Sequence, residues 1–548
     1  MPKLTIDGKE IDAPNGINLI QAAEQLGIEI PHYCYHPALT IVGNCRMCLV
    51  EVEKAPKLQI ACNTRVADGM VVHTQSAKTK AAQKAVLEFL LINHPIDCPV
   101  CDQAGECKLQ DYYMDYDDQP SRFPLGKKVH KGKAIYIGSD VMLDQERCVL
   151  CARCTRFFDE VTHTSELAIF ERGDHNQVDI YPGRPVDNKY AGNVIDICPV
   201  GALTEKDFRF RMRVWYLHRA PSVCAGCERG CAIDIHHHRG RIYRYKPRYN
   251  PEVNSYWMCD EGRHHFTALQ NETRLTAPLF QDRDRMMPEE WGAAVRRIAS
   301  HLEATKRAYG PRAIGAVIGA QATNEEAFAL KRLMRDTVGS DRLAMLSFTP
   351  LGMSGDDDFL IRANKNPNTR GLEALGLPAN QLGILAKAVA DGELKMLIVM
   401  RADLVRVMGE AEFVKAFGAL DYLTVLDTDA NETVQMANNV LPIATYPETD
   451  GSFTNFKGRV QRISQAFPPP GEALTGIEAI ARLGHAIDGT ERTSDAKAIF
   501  TQIAASEPPF DGMSFDTLMP HGASLKGSAS TRQLNRGNEF RAVLNLDN

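Results

Sequence analysis

The placement of the cysteines constrains this chain more than any other feature. All 15 lie between Cys34 and Cys259 of the 548 residues, and the last 289 residues contain none. No export signal is visible at the N-terminus, so a disulfide framework is not expected in a chain of this length. Cysteines that recur at Cys-x-x-Cys spacing in a reducing compartment indicate bound metal. We therefore expect metal centres confined to the first half of the chain.

The first set contains four cysteines: Cys34, Cys45, Cys48 and Cys62. Four thiolates satisfy either a tetrahedral zinc ion or a 2Fe–2S cluster. A Cys-x-x-Cys pair in a long loop, with one distant cysteine, is typical of plant-type ferredoxins, although the first gap here is longer. The β-rich sequence around the set favours the 2Fe–2S cluster, and a zinc knuckle is the alternative.

The second set has only three cysteines: Cys98, Cys101 and Cys107. A cubane cluster needs four protein ligands, and the other sets use all of the remaining cysteines. A ligand other than cysteine is therefore expected, and His94 is the nearest good donor. Asp97 and Asp102 are weaker candidates, because carboxylates prefer harder cations.

The third set is a Cys-x-x-Cys-x-x-Cys run completed by a later Cys-Pro pair: Cys148, Cys151, Cys154 and Cys198. This pattern is half of a bacterial ferredoxin motif, and it predicts one 4Fe–4S cluster. The fourth set is Cys224, Cys227, Cys231 and Cys259. Its spacing suits another 4Fe–4S cluster, with a zinc ribbon as the alternative.

The first 75 residues predict a small β-rich domain with one helix. An Asp7-Gly8 turn indicates a hairpin, and Asn18 with Gln21 indicates the capped start of the helix. An amphipathic helix is predicted over 79–93, and a polar loop over 119–145. Further strands are predicted around Leu49–Val52, Leu58–Ala61 and Met70–His73.

From about residue 274 the pattern changes to helices that alternate with apolar strands, which is typical of an α/β domain. Thr323 and Glu326 predict a capping box on a helix over 324–337. The last 40 residues are rich in Gly, Ser, Asn and Arg and predict a loose tail. Strands are predicted at Ala313–Ile318, Met396–Met400 and Leu423–Leu426.

Charge and hydropathy exclude several classes of protein. The net charge of −6 provides no basic field for nucleic acid or anionic lipid. No run of 18 apolar residues is present, so we expect a cytoplasmic chain that reaches a membrane only through partners. The glycine pair Gly315 and Gly319 lacks the full G-x-G-x-x-G form, so NADH and flavin are expected on another chain.

Taken in this order, the four sets resemble those of the large iron–sulfur subunit (the G chain, or 75 kDa subunit) of NADH:quinone oxidoreductase, respiratory complex I. The stretches that carry the resemblance are HYCYHPALTIVGNCRMCLVEVE, INHPIDCPVCDQAGECKLQD, ERCVLCARCTRF and NVIDICPVGAL. The fourth set and the segment TYPETDGSFTNFKGRVQR resemble the molybdopterin-oxidoreductase-like part of that subunit.

The resemblance implies a multidomain α+β and α/β fold. The implied regions are a β-grasp 2Fe–2S ferredoxin-like domain (1–78), a His/Cys-ligated 4Fe–4S segment (79–118), a 4Fe–4S ferredoxin-like domain (119–216), a 4Fe–4S domain of the Mo/W-bis-MGD type (217–273) and a truncated, vestigial molybdopterin-oxidoreductase-like α/β domain (274–548). The first cysteine set would bind one 2Fe–2S cluster, and the other three sets, with His94 completing the second, would bind three 4Fe–4S clusters.

The resemblance also implies a relay of electrons with no catalytic residue on this chain. Its partners would be the flavin- and NADH-binding subunit and other iron–sulfur subunits, with indirect contact to the membrane arm and none to nucleic acid. Its location would be the peripheral arm, on the cytoplasmic side of the inner membrane.

One departure bears on the molybdenum site. Molybdenum relatives carry a lysine two residues after the last cluster cysteine, and Glu261 takes that place here. No cysteine follows Cys259 to ligate molybdenum, so the pterin site is expected to be empty. The alternatives are the catalytic chain of an NAD-linked formate dehydrogenase, a subunit of a soluble NAD-linked hydrogenase and a structural zinc protein.

Overall fold

The structure, a computed structural model, describes residues 1–117, 119–283, 285–348, 355–379 and 381–527. The chain divides into two compact units, the first built from Met1–Leu217 and the second beginning at His218. The first three cysteine sets belong to the first unit, and the fourth set belongs to the second.

The first unit is made of short elements. Its strands are β1 (Lys3–Ile6), β2 (Lys9–Asp12), β3 (Leu49–Val52), β4 (Gln59–Ile60), β5 (Val71–His73), β6 (Ile135–Tyr136), β7 (Val141–Leu143), β8 (Leu167–Phe170), β9 (Gln177–Ile180) and β10 (Leu203–Glu205). Its helices are α1 (Leu19–Gln25), α2 (Ala77–Leu91), α3 (Lys108–Tyr116), α4 (Arg153–Glu160) and α5 (Asn193–Ile197).

The N-terminal sheet has the strand order β2-β1-β5-β3-β4, with β1 antiparallel to β2 and parallel to β5. The predicted hairpin is confirmed, and Asp7 and Gly8 both have positive φ, as a type I′ turn requires. The predicted capping box is also confirmed, because Asn18 and Gln21 exchange hydrogen bonds at the start of α1. The buried face of α1 packs on β1, β3 and β5 to form the core of this domain.

The polar stretch over 119–145 is not the continuous loop that its composition predicts. It contains β6 and β7, and β7 pairs with β10 about 60 residues later in the chain. All three residues of β7 are buried in that pairing. A window of local sequence misses the strand because its partner is remote.

The second unit holds the larger sheet. Its strands are β11 (His218–Val223), β12 (Ala232–His238), β13 (Arg241–Pro247), β14 (Leu279–Asp282), β15 (Arg285–Pro288), β16 (Ile314–Gly319), β17 (Leu343–Leu346), β18 (Met396–Met400), β19 (Tyr422–Asp427), β20 (Asn439–Pro442), β21 (Gly451–Thr454), β22 (Arg459–Ile463) and β23 (Ala523–Ser524). Its helices are α6 (Asp260–Arg263), α7 (Trp291–Tyr309), α8 (Asn324–Arg332), α9 (Thr369–Ala374), α10 (Leu382–Ala390), α11 (Leu404–Met408), α12 (Glu410–Phe417), α13 (Glu432–Gln435), α14 (Gly476–Asp488) and α15 (Ala496–Ser506).

The large sheet has the order β15-β14-β20-β19-β18-β16-β17, and its last five strands run parallel. One face packs against α7, α8, α14 and α15, and the other against α10, α11 and α12. This layering is the α/β architecture that the sequence predicts. The Thr323–Glu326 capping box is confirmed on α8, which continues as a π-helical turn to Val338. None of the helices in the described ranges is long and apolar enough to cross a membrane.

The prediction of a loose tail over the last 40 residues is wrong for residues 509–527. Phe510, Phe515 and Leu518 are buried in the core of the second unit, and β23 pairs with β22. Composition misled the prediction, because a few large apolar side chains are enough to fix a segment that is otherwise polar. Residues 528–548 lie outside the described part of the chain.

We predict that Phe500→Ala lowers the free energy of unfolding of the second unit by about 3–5 kcal/mol, the usual cost of a cavity left by a buried phenylalanine. Phe500 is fully buried and packs edge-on against Phe510. Ile384→Ala is the control in the same unit, because Ile384 on α10 is 63% exposed. It should change the free energy by no more than about 0.5 kcal/mol. Urea unfolding followed by circular dichroism measures both values, and equal losses would contradict the packing described here.

Candidate metal centres

The first cysteine set is brought together as predicted. Cys34 and Cys45 lie in the loop between α1 and β3, while Cys62 follows β4. The Cys34 thiol interacts with those of Cys45 and Cys62, and the Cys48 thiol interacts with that of Cys62. These interactions lower the pKa of Cys34 and raise those of Cys45 and Cys62, because one sulfur ionises only while its neighbours keep their protons. Four thiolates this close together therefore need cationic metal among them.

Two arginines of α4 hold the loop of the first set. The Arg156 guanidinium donates to the carbonyl oxygens of Cys34 and Thr40. Arg153 donates to Tyr35 O at 2.5 Å and to Ile197 O at 3.1 Å. Because α4 also carries a cysteine of the third set, these arginines tie the first and third sets to one helix.

The third set lines a single apolar cavity, in which all four cysteines are accompanied by side chains such as Leu143, Val178 and Val200. Leu150 and Ala152 adopt left-handed backbone conformations that curl the Cys-x-x-Cys-x-x-Cys loop around this cavity. Burial raises the pKa of Cys148 to about 12 and that of Cys151 to about 11. Buried thiolates are stable here only when bound to a cation, so the donor set fits a 4Fe–4S cluster.

The second set lies between α2 and α3. Cys101 and Cys107 are buried and Cys98 is half-buried. Burial raises the pKa of Cys101, and the nearby Arg147 opposes that shift. The segment after β10 braces the loop, since Arg213 donates to Cys101 O at 2.6 Å.

The three candidates for the fourth ligand of the second set differ in their hydrogen bonds and in their charge. Both carboxylate oxygens of Asp97 accept from Arg147, at 3.0 and 2.7 Å. Asp102 accepts from the backbone N–H of Phe210 at 3.0 Å. Burial lowers the pKa of His94 to about 4, so the ring is neutral at pH 7, as a ligand must be. Because both carboxylates are hydrogen-bonded within the protein and the histidine is neutral, these differences favour His94. Its role as a ligand stays a prediction.

The bonding of the His94 ring sets a condition on ligation. Its Nδ1 accepts from the backbone N–H of Ile96 at 3.1 Å, so the neutral ring carries its proton on Nε2. Ligation of iron through Nε2 requires the other tautomer, in which Nδ1 is the donor. We therefore expect this local hydrogen bond to be exchanged for another when metal binds.

Cysteines of all three sets in the first unit pack into one apolar cluster. It contains Cys34 of the first set, Cys107 of the second and Cys151 of the third. The side chains that separate and support them are Tyr33, Met47, Leu87, Leu109, Tyr112, Val200 and Ala202. The three donor sets therefore share a single core from which water is excluded.

The fourth set is assembled by the β11–β12 hairpin and by the start of α6. Its four cysteines line one cavity in the second unit together with Glu261 and Lys365. The backbone N–H of Gly226 donates to Cys224 Sγ at 3.5 Å, and that of Gly262 to Cys259 Sγ at 3.3 Å. Such N–H donors stabilise sulfur that carries negative charge, and the set fits a 4Fe–4S cluster.

Local sequence gives no signal for several residues that shape these sites. Gly201 lies so close to Cys101 that a Cβ at this position would overlap the cysteine sulfur. Lys365 comes to the wall of the fourth cavity from a segment far beyond Cys259. Only the fold brings such residues to the cysteines.

At the carboxyl edge of the parallel sheet, where nucleotide-like ligands bind in open α/β sheets, the start of α8 is engaged by side chains of the chain itself. Arg401, at the end of β18, pairs with Glu326 at 2.6 Å, and both side chains are buried. Glu325 accepts from the backbone N–H and hydroxyl of Ser452, each at 2.8 Å. These two carboxylates occupy the first turn of α8, where a phosphate would otherwise bind. The described residues at the start of α8 therefore do not fit the phosphate of a pterin nucleotide.

Family models match most of the chain in the predicted order. The matches are the 2Fe-2S iron-sulfur cluster binding domain (2–77), the NADH-ubiquinone oxidoreductase-G iron-sulfur binding region (83–122), the ferredoxin-like domain of NADH-quinone oxidoreductase subunit 3 (138–204), the molybdopterin oxidoreductase Fe4S4 domain (217–271) and molybdopterin oxidoreductase (352–486). They confirm the predicted fold class and show that the chain contains 2Fe–2S and 4Fe–4S binding domains.

The chain is also similar in sequence to curated proteins. The chain is 45% identical over 335 residues to the G subunit of NADH-quinone oxidoreductase from Streptomyces coelicolor, covering 61% of this chain and 39% of the relative. For the corresponding protein of Mycobacterium bovis the identity is 43%, with 62% and 42% covered. For that of Rickettsia felis it is 39%, with 64% and 51% covered. The matched stretch thus spans about half of these relatives or less.

We predict that Gly201→Ala disrupts the second metal centre, because the new methyl group would displace the Cys101 sulfur. Iron per chain should fall by about four atoms, the content of one cubane. Gly126→Ala is the control, since nothing lies within 4 Å of a Cβ at that position. Iron analysis with EPR spectroscopy measures the effect, and unchanged spectra in Gly201→Ala would contradict the close approach.

Proposed function

We propose that this chain is the electron-relay subunit of an NADH:quinone oxidoreductase and carries electrons from a flavin subunit toward quinone. The observation that carries this proposal is the shared apolar core, which holds Cys34, Cys107 and Cys151 of three donor sets. Electron tunnelling falls steeply with distance, so centres packed around one core are suited to a relay. The similarity to the G subunit of NADH-quinone oxidoreductase supports the assignment.

The proposed ligand sets are those that the sequence predicts. A 2Fe–2S cluster is assigned to the first set, and 4Fe–4S clusters to the second set with His94, to the third set and to the fourth set. When bound, these clusters supply reversible one-electron oxidation and reduction. We also propose the five-region division of the chain that the sequence predicts.

The chain's own residues supply the environment of the proposed clusters. Apolar side chains exclude water from the sulfurs, and backbone N–H groups and arginines balance their negative charge. Arg153 and Arg156 fix the first loop to the helix of the third set. Arg147, held by Asp97, stands beside the second set. No catalytic residue is assigned to this chain.

The proposed partners are the flavin- and NADH-binding subunit and the other iron–sulfur subunits of the complex. The chain would lie in the peripheral arm on the cytoplasmic side of the inner membrane and would touch the membrane arm only indirectly. Formate oxidation at a molybdopterin is disfavoured, because Glu261 is engaged by Lys365 and the Glu326–Arg401 pair occupies the start of α8.

We predict about fourteen iron atoms per chain, two from the first set and four from each of the others, and no stoichiometric molybdenum or tungsten. Metal and acid-labile sulfide analysis of anaerobically purified protein measures this content. About ten iron atoms would remove the fourth cluster from the proposal. One molybdenum or tungsten atom per chain would instead indicate a formate dehydrogenase, and stoichiometric zinc would remove at least one cluster.

We predict that His94→Ala leaves the second cluster with an open iron site, so that it loses iron or is lost entirely. His94→Cys should keep a four-iron cluster at a lower reduction potential, because a thiolate adds negative charge. In the assembled complex, His94→Ala should sharply reduce electron transfer from NADH to quinone. Oxidation of NADH by an artificial acceptor at the flavin should persist.

EPR spectra of the reduced variants, recorded with both activities, test the role of His94. His175→Ala is the control, because His175 is exposed and lies outside the cysteine sets. A normal four-iron signal together with full quinone reduction in His94→Ala would show that His94 is not the ligand. Asp97→Asn and Asp102→Asn would then identify the donor.

A further inference from the structure

An ion pair between a buried lysine and a half-buried glutamate forms part of the wall of the fourth cavity. The Lys365 Nζ atom lies 2.7 Å from Oε1 of Glu261, and the lysine side chain is only 5% exposed. Both residues line the same cavity as the cysteines of the fourth set. Glu261 lies two residues after Cys259, whereas Lys365 arrives from a segment more than a hundred residues later.

The segment that carries Lys365 is anchored on the cysteine hairpin. The backbone N–H of Glu228 donates to Asn364 O at 2.9 Å, and Asn364 Nδ2 donates to the Glu228 carboxylate at 3.0 Å. Gln321 donates to Lys365 O at 2.9 Å from the loop before α8. These bonds fix the lysine backbone on both sides, so the ammonium group is held in the wall of the cavity.

The two charges of the pair act on the same sulfurs in opposite directions. Burial raises the pKa of Cys224 to about 12, Glu261 adds to that shift and Lys365 opposes it. Burial also raises the pKa of Cys227. Glu261 adds to that shift as well, and Lys365 again opposes it. A metal centre held by these sulfurs would be exposed to both charges at short range and in a medium of low dielectric constant.

The geometry points to Lys365 and Glu261 as a positioning pair that sets the reduction potential of the fourth cluster. Reduction adds one electron to the cluster and no other group changes, so a fixed positive charge nearby stabilises the reduced form and a fixed negative charge destabilises it. Glu261 also compensates the buried ammonium, which would otherwise be too costly to keep in the cavity. The inference rests on the proposed cluster at Cys224, Cys227, Cys231 and Cys259.

An EPR-monitored redox titration of the intact complex tests the pair. Lys365→Met should lower the potential of the fourth cluster, with the ratio of reduced to oxidised cluster at a fixed potential falling at least tenfold, equal to about 59 mV for one electron. Glu261→Gln should raise the potential, and the double variant should return close to the wild-type value. Lys365→Arg keeps the positive charge and should retain the wild-type potential.

The second unit contains a matched control pair. Lys331 and Glu507 also lie 2.7 Å apart and are largely buried, but they belong to α8 and to the segment after α15, away from the fourth cavity. Lys331→Met and Glu507→Gln should leave the potential unchanged. Shifts of the same sign in Lys365→Met and Glu261→Gln, or shifts no larger than those of the control pair, would overturn the inference.

Loss of the cluster is distinguished from loss of tuning by Cys224→Ala, which leaves no donor atom at this position. If this change removes no iron, the fourth cluster itself is absent and the proposed function is revised at that site. If Lys365→Met fails to load iron, Lys365→Arg and Glu261→Gln decide the matter. A wild-type potential in Lys365→Arg together with a raised potential in Glu261→Gln supports the inference. Any other combination overturns it.

Discussion

Burial of closely spaced thiols is the constraint on which the rest of the structure depends. Sulfurs in contact with one another inside an apolar wall do not ionise together unless cationic metal lies among them. In the third set, burial raises the pKas of all four cysteines. The loops that carry the cysteines thus depend on bound metal, and not on packing alone, to keep the buried thiolates stable. The surrounding elements are correspondingly short and serve to hold these loops.

The charged side chains of the first unit are placed to hold those loops and to balance the sulfurs. Arg153 and Arg156 reach from α4 to the backbone of the first loop, and Arg147 is held beside the second set by Asp97. Arginine suits these positions because its fork of donors binds several carbonyl or carboxylate oxygens at once. Each arginine therefore contributes position as well as charge to the environment of the sulfurs.

The second unit keeps a layered α/β architecture and places its own charged side chains at the carboxyl edge of its sheet. Glu325 and Glu326 take the first turn of α8, and Arg401 neutralises one of them. The fourth cysteine set is shaped separately by the β11–β12 hairpin and by the segment that carries Lys365. The cysteine set and the charged start of α8 are therefore built from different elements of the same unit.

Sequence alone determined the grouping of the cysteines, the α/β texture of the C-terminal half and the capped helices at Asn18 and Thr323. These features follow from spacing and local hydrogen bonding, which a short window of sequence records. Tertiary structure alone decided the pairing of β7 with β10, the packing of Phe510 and Phe515 and the arrival of Lys365 beside Glu261. It also decided that Cys34, Cys107 and Cys151 share one core. Contacts between residues that are remote in the chain depend on how whole elements pack, and no local pattern carries that information.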